Sequence, residues 1–328
     1  MSYVPTGFHG KPAQVRSSMR LTAPLGSVTL RQCKTGKDAV VGPTDRLQSW
    51  AAAVVDSRAR VVRVQSLHGD EGPWLIEVVA ASGRRKQVVV REPTSRISAE
   101  MVIINAVALQ TAASHSLPAP VLIGLDLDGS EAGVTASVES VVAGTTDWRA
   151  PTTTERLEAA GAAIARVHAI RLGPTRYLPY RPRPIAVDDF AADRRHGRMP
   201  TTPILRSADA QVLTAKPRLD VVSLVHGDVW PGNMIWAGGT VRSLIDWKTA
   251  GVGNPGVDLG ELRKQVAITH GHGAPRHVLI GWERASGRNA TDVAYWDAVA
   301  ALNTPTQLDS ATMTTRRDAF LHKALKGL

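Results

Sequence analysis

The chain has 328 residues, 43% of them hydrophobic, and a formal net charge of +10. That length exceeds one ordinary domain and suits two lobes with sizeable cores. No run approaches the roughly 18 to 20 apolar residues of a membrane span, the start lacks the apolar stretch of a secretory signal, and the single Cys33 excludes an internal disulfide. A cytoplasmic protein with no membrane partner is the expectation.

Residues 1–43 carry six Lys or Arg against one Asp, with Pro, Gly and Ser scattered among them. This predicts a basic, flexible tail with at most one short strand, around 26–31. Thr44 and Asp45, followed by Leu47, Trp50, Ala51 and Val54, predict a capped amphipathic helix that opens the folded part. Residues 61–64 and 75–79 predict two strands around a loop holding Gly69, Asp70 and Gly72, and 87–91 predict a third strand ending on Arg91. A helix precedes Leu117-Pro118, and 121–126 and 133–142 predict further strands joined by a turn. From Thr154, Leu157, Ala160, Ile164 and Val167 recur at helical spacing. His168, at that helix's end, reads as a packed or capping histidine rather than a catalytic one. Helices are also expected over 278–283, 294–299 and 317–325.

The stretch 226–259 narrows function most: HGDVWPGN, a hairpin-like spacer, LIDW and GNPGVDL. A short buried strand over 222–225 delivers the loop of His226, Gly227 and Asp228. Pro231-Gly232 bend the chain so that Asn233 turns back, and strand, turn and strand over 234–245 lead to Asp246. Phosphoryl transfer to a hydroxyl needs alignment and charge neutralisation more than covalent chemistry. Asp228 would orient the hydroxyl and accept its proton, with His226 in the same proton-handling set. Asn233 and Asp246 are oxygen donors suited to Mg²⁺ on nucleotide phosphates. The competing reading, three acceptors that merely cap turns, is disfavoured by the complete ordered set.

On these motifs the chain resembles the aminoglycoside phosphotransferase and choline-kinase-like small-molecule kinases, with weaker similarity from about residue 44 to the C-terminus. The resemblance implies an α+β, two-lobed protein-kinase-like fold. A small β-rich N-lobe would span 44–142, with a hinge near 139–144, and a larger, mainly helical C-lobe 143–328. It implies ATP, or GTP, and Mg²⁺ as cofactors, catalytic Asp228, and metal ligands Asn233 and Asp246. It places a phosphate-pairing cation at Arg91, against the plain reading of a solvent-facing strand end. The loop at Gly69 and Gly72 would cover phosphates or be an ordinary hairpin, and backbone groups near Glu139 and Val141 would meet the nucleobase. Asn105 stands where an acid usually pairs with the cation; Glu100 is the candidate substitute, or a helix cap. Asn254-Pro255 replaces a common Asp-Pro step, and Asp258 is either a helix N-cap or a brace for the catalytic loop.

Residues 61–150 hold 7 basic and 10 acidic side chains, whereas 151–225 hold 12 and 7. In the family this second region helps build the acceptor site. Arg181, Arg183, Arg194, Arg195 and Arg198 disfavour a polycationic aminoglycoside and favour a neutral or anionic hydroxylated acceptor. Asp188, Asp189 and Asp193 could still form a local acidic patch, or the whole stretch could be a solvated charged loop. The leading expectation is a Mg²⁺-dependent small-molecule kinase. One alternative is a kinase-like protein that binds nucleotide with little catalysis. Another is a basic nucleic-acid-binding protein, for which the sequence offers only a non-specific tail and no recognised signature.

Overall fold

The computed structural model describes residues 42–69, 71–148, 152–218 and 222–328, all within one compact unit. The tail's residues 1–41, its expected strand, and Asp70 lie outside the described residues. Helix α1 (Asp45–Val55) begins where Thr44 Oγ1 accepts a hydrogen bond from Leu47 N, satisfying one of the amide groups a helix start leaves open. Strands β1 (Arg60–Ser66), β2 (Trp74–Val79) and β3 (Arg85–Arg91), helix α2 (Ala99–Ser114), and strands β4 (Leu122–Asp126) and β5 (Ala136–Ser140) follow. The five strands form an antiparallel sheet in the order β1-β2-β3-β5-β4.

Alternation along these strands decides what each face does. Val88, Val90 and Val138 join Ile76 and Val78 in a core with Leu47, Trp50 and Ala51 of α1. The intervening residues Arg91 and Glu139 face the opposite way, where Asn105 of α2 meets Glu139. Helix α2, capped by Ser98, is apolar nearly all round because it is covered on several sides. Its Ile104, Ala108 and Leu109 belong to the core of the helical region beyond.

That region comprises α3 (Thr154–His168), α4 (Phe190–Arg195), α5 (Pro203–Thr214), β6 (Ser223–Val225), β7 (Met234–Ala237), β8 (Thr240–Leu244), β9 (Gly251–Gly253), α6 (Gly256–His270), α7 (Ala274–Ser286), α8 (Val293–Leu302) and α9 (Ala311–Leu325). Strand β6 pairs with β9, and β7 with β8, both antiparallel. Pattern reading does not anticipate β9, because Gly-Val-Gly has weak strand character. Its glycines serve close packing: a Cβ at Gly251 would lie 2.3 Å from Pro179 O, and one at Gly253 2.7 Å from Arg181 O. Helices α3 and α7 also meet backbone to backbone. A Cβ at Gly161 would lie 2.0 Å from Val278 O.

Three helices converge on the turn after β6. Asp258, three residues into α6, caps nothing. Its Oδ2 and Oδ1 accept hydrogen bonds from His226 N and Gly227 N, both at 2.8 Å. His168 Nδ1 accepts from Trp282 Nε1 of α7 at 2.9 Å, so Nε2 carries the proton and donates to Asp258 Oδ2 at 3.0 Å. Asp258 thus acts as a brace, and His168 links α3 to it. Burial opposes ionisation of Asp258, but His168 and the groups of His226 hold its pKa below the usual carboxylate value.

Two stability outcomes follow from this frame. Gly161→Ala should lower the urea midpoint by an amount equivalent to about 1–3 kcal/mol, because backbone cannot yield as a side chain can. Asp258, with its depressed folded pKa, contributes stability that is complete above about pH 4 and fades as pH falls through the folded value. Asp258→Asn should cost on the order of 2 kcal/mol at neutral pH and flatten that acid limb in urea melts. An acid limb as steep as the native one in the variant would show that other carboxylates carry it.

Candidate active site

The loop after β6 is shaped by Gly227, whose φ of 82° and whose Cβ position, 2.3 Å from Thr249 O, admit no side chain. His226 is fully buried. Its Nε2 donates to Ile245 O at 2.9 Å, and its Nδ1 accepts from Asp228 N at 3.3 Å. The ring lies against Trp247, with centroids 4.5 Å apart. Burial pushes its pKa down, outweighing nearby Asp258 and Asp246. Both nitrogens are therefore engaged by backbone in one neutral tautomer, which corrects the expectation that His226 handles protons. It ties the loop to the strand end before Asp246.

Asp228 presents its carboxylate at the end of this turn. Burial raises its pKa, Lys248 opposes the rise and Asp246 adds to it. Asn233 donates through Nδ2 to Asp228 O at 2.9 Å, and its carbonyl accepts Ile245 N at 3.0 Å. No hydrogen bond from the described residues reaches its Oδ1. Asp246 has a φ of 67°, and its Oδ1 accepts from Arg91 Nη1 at 2.9 Å, while its Oδ2 meets Lys248 Nζ. Burial opposes its charge, but Lys248 and Arg91 hold its pKa far below the usual range. Lys248 Nζ also lies 3.6 Å from Asp228 Oδ2. The sequence reading misses Lys248; its one signal is the two-residue spacing from Asp246.

Arg91 is gripped by Glu139, whose Oε1 accepts from its Nε at 3.2 Å and Nη2 at 3.0 Å. The register explains the meeting. Glu139 pairs with Val89, so it is the diagonal neighbour of Arg91 on the same sheet face. Asn105 Nδ2 donates to Glu139 Oε2 at 3.0 Å, and its Oδ1 accepts Trp247 N at 2.9 Å. Two expectations are corrected here. The acid partner of Arg91 is Glu139 rather than Glu100, which is exposed at the start of α2. Glu139, expected to act through its backbone near the hinge, lies inside β5, paired with Val89 and Leu122, and its side chain, 3% exposed, faces Arg91. Burial works against the Arg91 charge, yet Glu139 and Asp246 together raise its pKa.

Val141 lies beyond the end of β5 and is 42% exposed. No hydrogen bond among the described residues reaches the backbone of 141–143, which leaves those groups open. Thr145 and Trp236 exchange two backbone hydrogen bonds, at 3.0 and 2.8 Å, and pin the following segment to β7. Gly69 and Gly72 both have positive φ, 59° and 85°, as the β1–β2 turn requires. No hydrogen bond or ion pair among the described residues joins that turn to Asp228 or Asp246.

The arginine-rich stretch does not present the field its count suggests. Arg181 donates to Ala250 O, Arg183 to Ile185 O and Asp188 O, and Arg194 to Thr304 O and Leu302 O. Arg183, Arg195 and Arg198 pair with Asp189, Asp209 and Asp193 at 3.1, 2.6 and 2.7 Å. All five have partners within the protein, so their count alone does not argue for an anionic acceptor; the same pairs engage Asp189 and Asp193. This segment borders the loop nonetheless, with Ile185 N donating to Gly227 O at 2.7 Å. Trp230, 38% exposed, lies two residues past Asp228 with its ring against Gly232.

The donor set suits a hard cation. Asp246 is held ionised, and the amide oxygen of Asn233 is left without a partner among the described residues. Among the described residues no group of three or more His, Cys, Asp or Glu could hold a metal. A bound Mg²⁺ would thus share its coordination with phosphate oxygens and water, its usual arrangement in nucleotide sites.

Residues 71–302 match the model of the phosphotransferase enzyme family, APH. A candidate aminoglycoside phosphotransferase from Ralstonia eutropha JMP134 superposes with a TM-score of 0.59 at 16% identity, covering 84% of this chain and 98% of its own. A thermostable mutant of aminoglycoside phosphotransferase APH(4)-Ia, in ternary complex with AMP-PNP and hygromycin B, gives 0.55 at 14%, covering 87% and 100%. The amicoumacin kinase hAmiN, in complex with AMP-PNP, Ca²⁺ and Ami, gives 0.53 at 14%, covering 80% and 88%. These likenesses show the two-lobed kinase-like fold. No curated protein sequence matches the chain, and no helix of the described residues is long and apolar enough to cross a membrane. The family match spans well over half the chain and takes in Arg91, Asp228, Asn233 and Asp246: the chain belongs to the phosphotransferase enzyme family.

Proposed function

We propose that the chain is a Mg²⁺-dependent kinase that moves the γ-phosphate of ATP to a hydroxyl of a small, uncharged molecule. The observation that carries this reading is the gathering of a base, two oxygen donors and a cation in Asp228, Asn233, Asp246 and Arg91: Asn233 bonds the Asp228 backbone, Arg91 bonds Asp246, and Lys248 lies between the two carboxylates. Solved relatives that hold AMP-PNP, one of them with Ca²⁺, support an adenine nucleotide and a divalent ion.

In this reading Asp228 orients the acceptor hydroxyl and takes its proton as the phosphoryl group transfers. Its raised pKa brings it nearer the range in which it can accept that proton late in the reaction. Asn233 and Asp246 hold Mg²⁺, which neutralises charge on the phosphate oxygens when bound. Arg91 reaches toward the phosphates while Glu139 fixes its fork. The β1–β2 turn at Gly69 and Gly72 covers the nucleotide, and the open backbone near Val141 reads the base. His226 and Asp258 position the loop. The two lobes, 44–142 and 143–328, close on the nucleotide across the 139–144 hinge. Paired charges in the segment beside Gly227, and Trp230 exposed two residues past Asp228, fit a neutral hydroxylated acceptor better than a polycation.

Assay of Mg·ATP turnover against a panel of neutral and charged alcohols tests the reading directly. Asp228→Asn should lower kcat by about 10²–10⁴ while Mg·ATP still raises the melting temperature. A native chain that neither turns over nor is stabilised by Mg·ATP would overturn it. The acid partner has its own check. Glu139→Gln should reduce kcat/KM for ATP by about tenfold, the scale of one charged hydrogen bond, and adding Asn105→Glu should recover part of that loss. Unchanged nucleotide kinetics in Glu139→Gln would remove Glu139 from the phosphate grip.

A further inference from the structure

Two cations converge on Asp246: Arg91 on Oδ1 at 2.9 Å and Lys248 on Oδ2. Lys248 also lies 3.6 Å from Asp228 Oδ2, so its ammonium sits between the base and a metal-ligand candidate. We propose that Lys248 stands in for one divalent cation, so that this site binds its nucleotide with a single Mg²⁺. The inference rests on the nucleotide and Mg²⁺ reading above.

Kinase-type sites commonly gather two Mg²⁺ around a carboxylate and an asparagine to neutralise the phosphates. In this chain Asp228, Asp246 and Glu139 supply three negative charges, and Arg91 and Lys248 supply two positive ones. The Lys248 side chain is 16% exposed, so water screens its charge poorly. An ammonium fixed on Asp246 Oδ2 and near Asp228 Oδ2 repels a further divalent ion at the same oxygens. Asn233 Oδ1 and the remaining lone pairs of Asp246 stay available for one ion.

The two cations differ in freedom. Arg91 is forked onto Glu139 by two hydrogen bonds and onto Asp246 by a third. Lys248 holds its two carboxylates as a compact charge on a flexible stem, with a donor left over. It can therefore lean from Asp228 toward an incoming phosphate without breaking the frame. A second metal ion would have to be recruited for that purpose; Lys248 is present from folding onward.

The test counts ions. With the full chain, AMP-PNP and Mn²⁺ followed by electron paramagnetic resonance, the native protein should bind one Mn²⁺ per bound nucleotide. Lys248→Ala should gain a second, weaker Mn²⁺ site, and its AMP-PNP affinity should fall at least about tenfold at low Mn²⁺ and recover as Mn²⁺ is raised. Lys248→Arg should keep the count at one, which guards against a misfolded alanine variant, and melting curves should confirm that both fold. Two Mn²⁺ on the native protein, or one on Lys248→Ala with unchanged nucleotide affinity, would overturn the proposal. Absence of any nucleotide-dependent Mn²⁺ binding in the native protein would instead remove the kinase reading, and this inference with it.

Discussion

A single buried carboxylate, Asp258, sets the position of everything that acts. Strand β6 ends at Val225, so the amides of His226 and Gly227 have no strand partner and must be satisfied where water cannot reach. Asp258 takes both, and its remaining capacity takes the proton of His168. Through His168 and Trp282 the load passes from α6 to α3 and α7, which meet with no room for a side chain at Gly161 or Gly281. The turn carrying Asp228 is rigid because its anchor is charged, buried and held from three sides.

From that anchor, contacts run outward in a chain. His226 hydrogen-bonds Ile245 O, which fixes the residue before Asp246. Asp246 meets Arg91, and the next amide, Trp247 N, meets Asn105. The sheet and the helical region are thus joined at adjacent residues, one contact charged and the other neutral. Burial favours the neutral form of both carboxylates, yet they end on opposite sides of the ordinary value. Asp228, whose nearest cation stands 3.6 Å away, is pushed up, while Asp246, with two close ones, is held down. One carboxylate suits a proton and the other a cation, and their neighbours alone make the difference.

The HGD, Asn and IDW spacing was readable because the chemistry leaves little choice of residue type or order. Strand β2 was readable because its burial alternates residue by residue. Glu139 was not, since recognising it as the partner of Arg91 requires the β3–β5 register, which no local pattern encodes. Helix α6 hides its logic for another reason. It is buried on nearly every side, with Glu261 paired to Lys264 within the helix and Arg263 paired to Asp297 of α8. Polar residues there do not mark a solvent face. The same error attends the arginines of 181–198: a count of charges becomes a field only where the charges are free, and these bind carbonyls and nearby aspartates. Gly-Val-Gly at β9 reads as a loop because its extended form comes from neighbours, not from its own preference.

Placing the acid of the Arg91 pair on β5 changes how the molecule can be regulated. Kinase-like enzymes whose cation is paired from a mobile helix can be silenced by swinging that helix outward. Here cation and acid ride on hydrogen-bonded strands of one sheet, and α2 supplies only an uncharged amide. Displacing α2 would loosen the Asn105 link to Trp247 but leave Arg91 and Glu139 together. The pair is therefore built to stay assembled, and an outward swing of α2 would not serve as its switch.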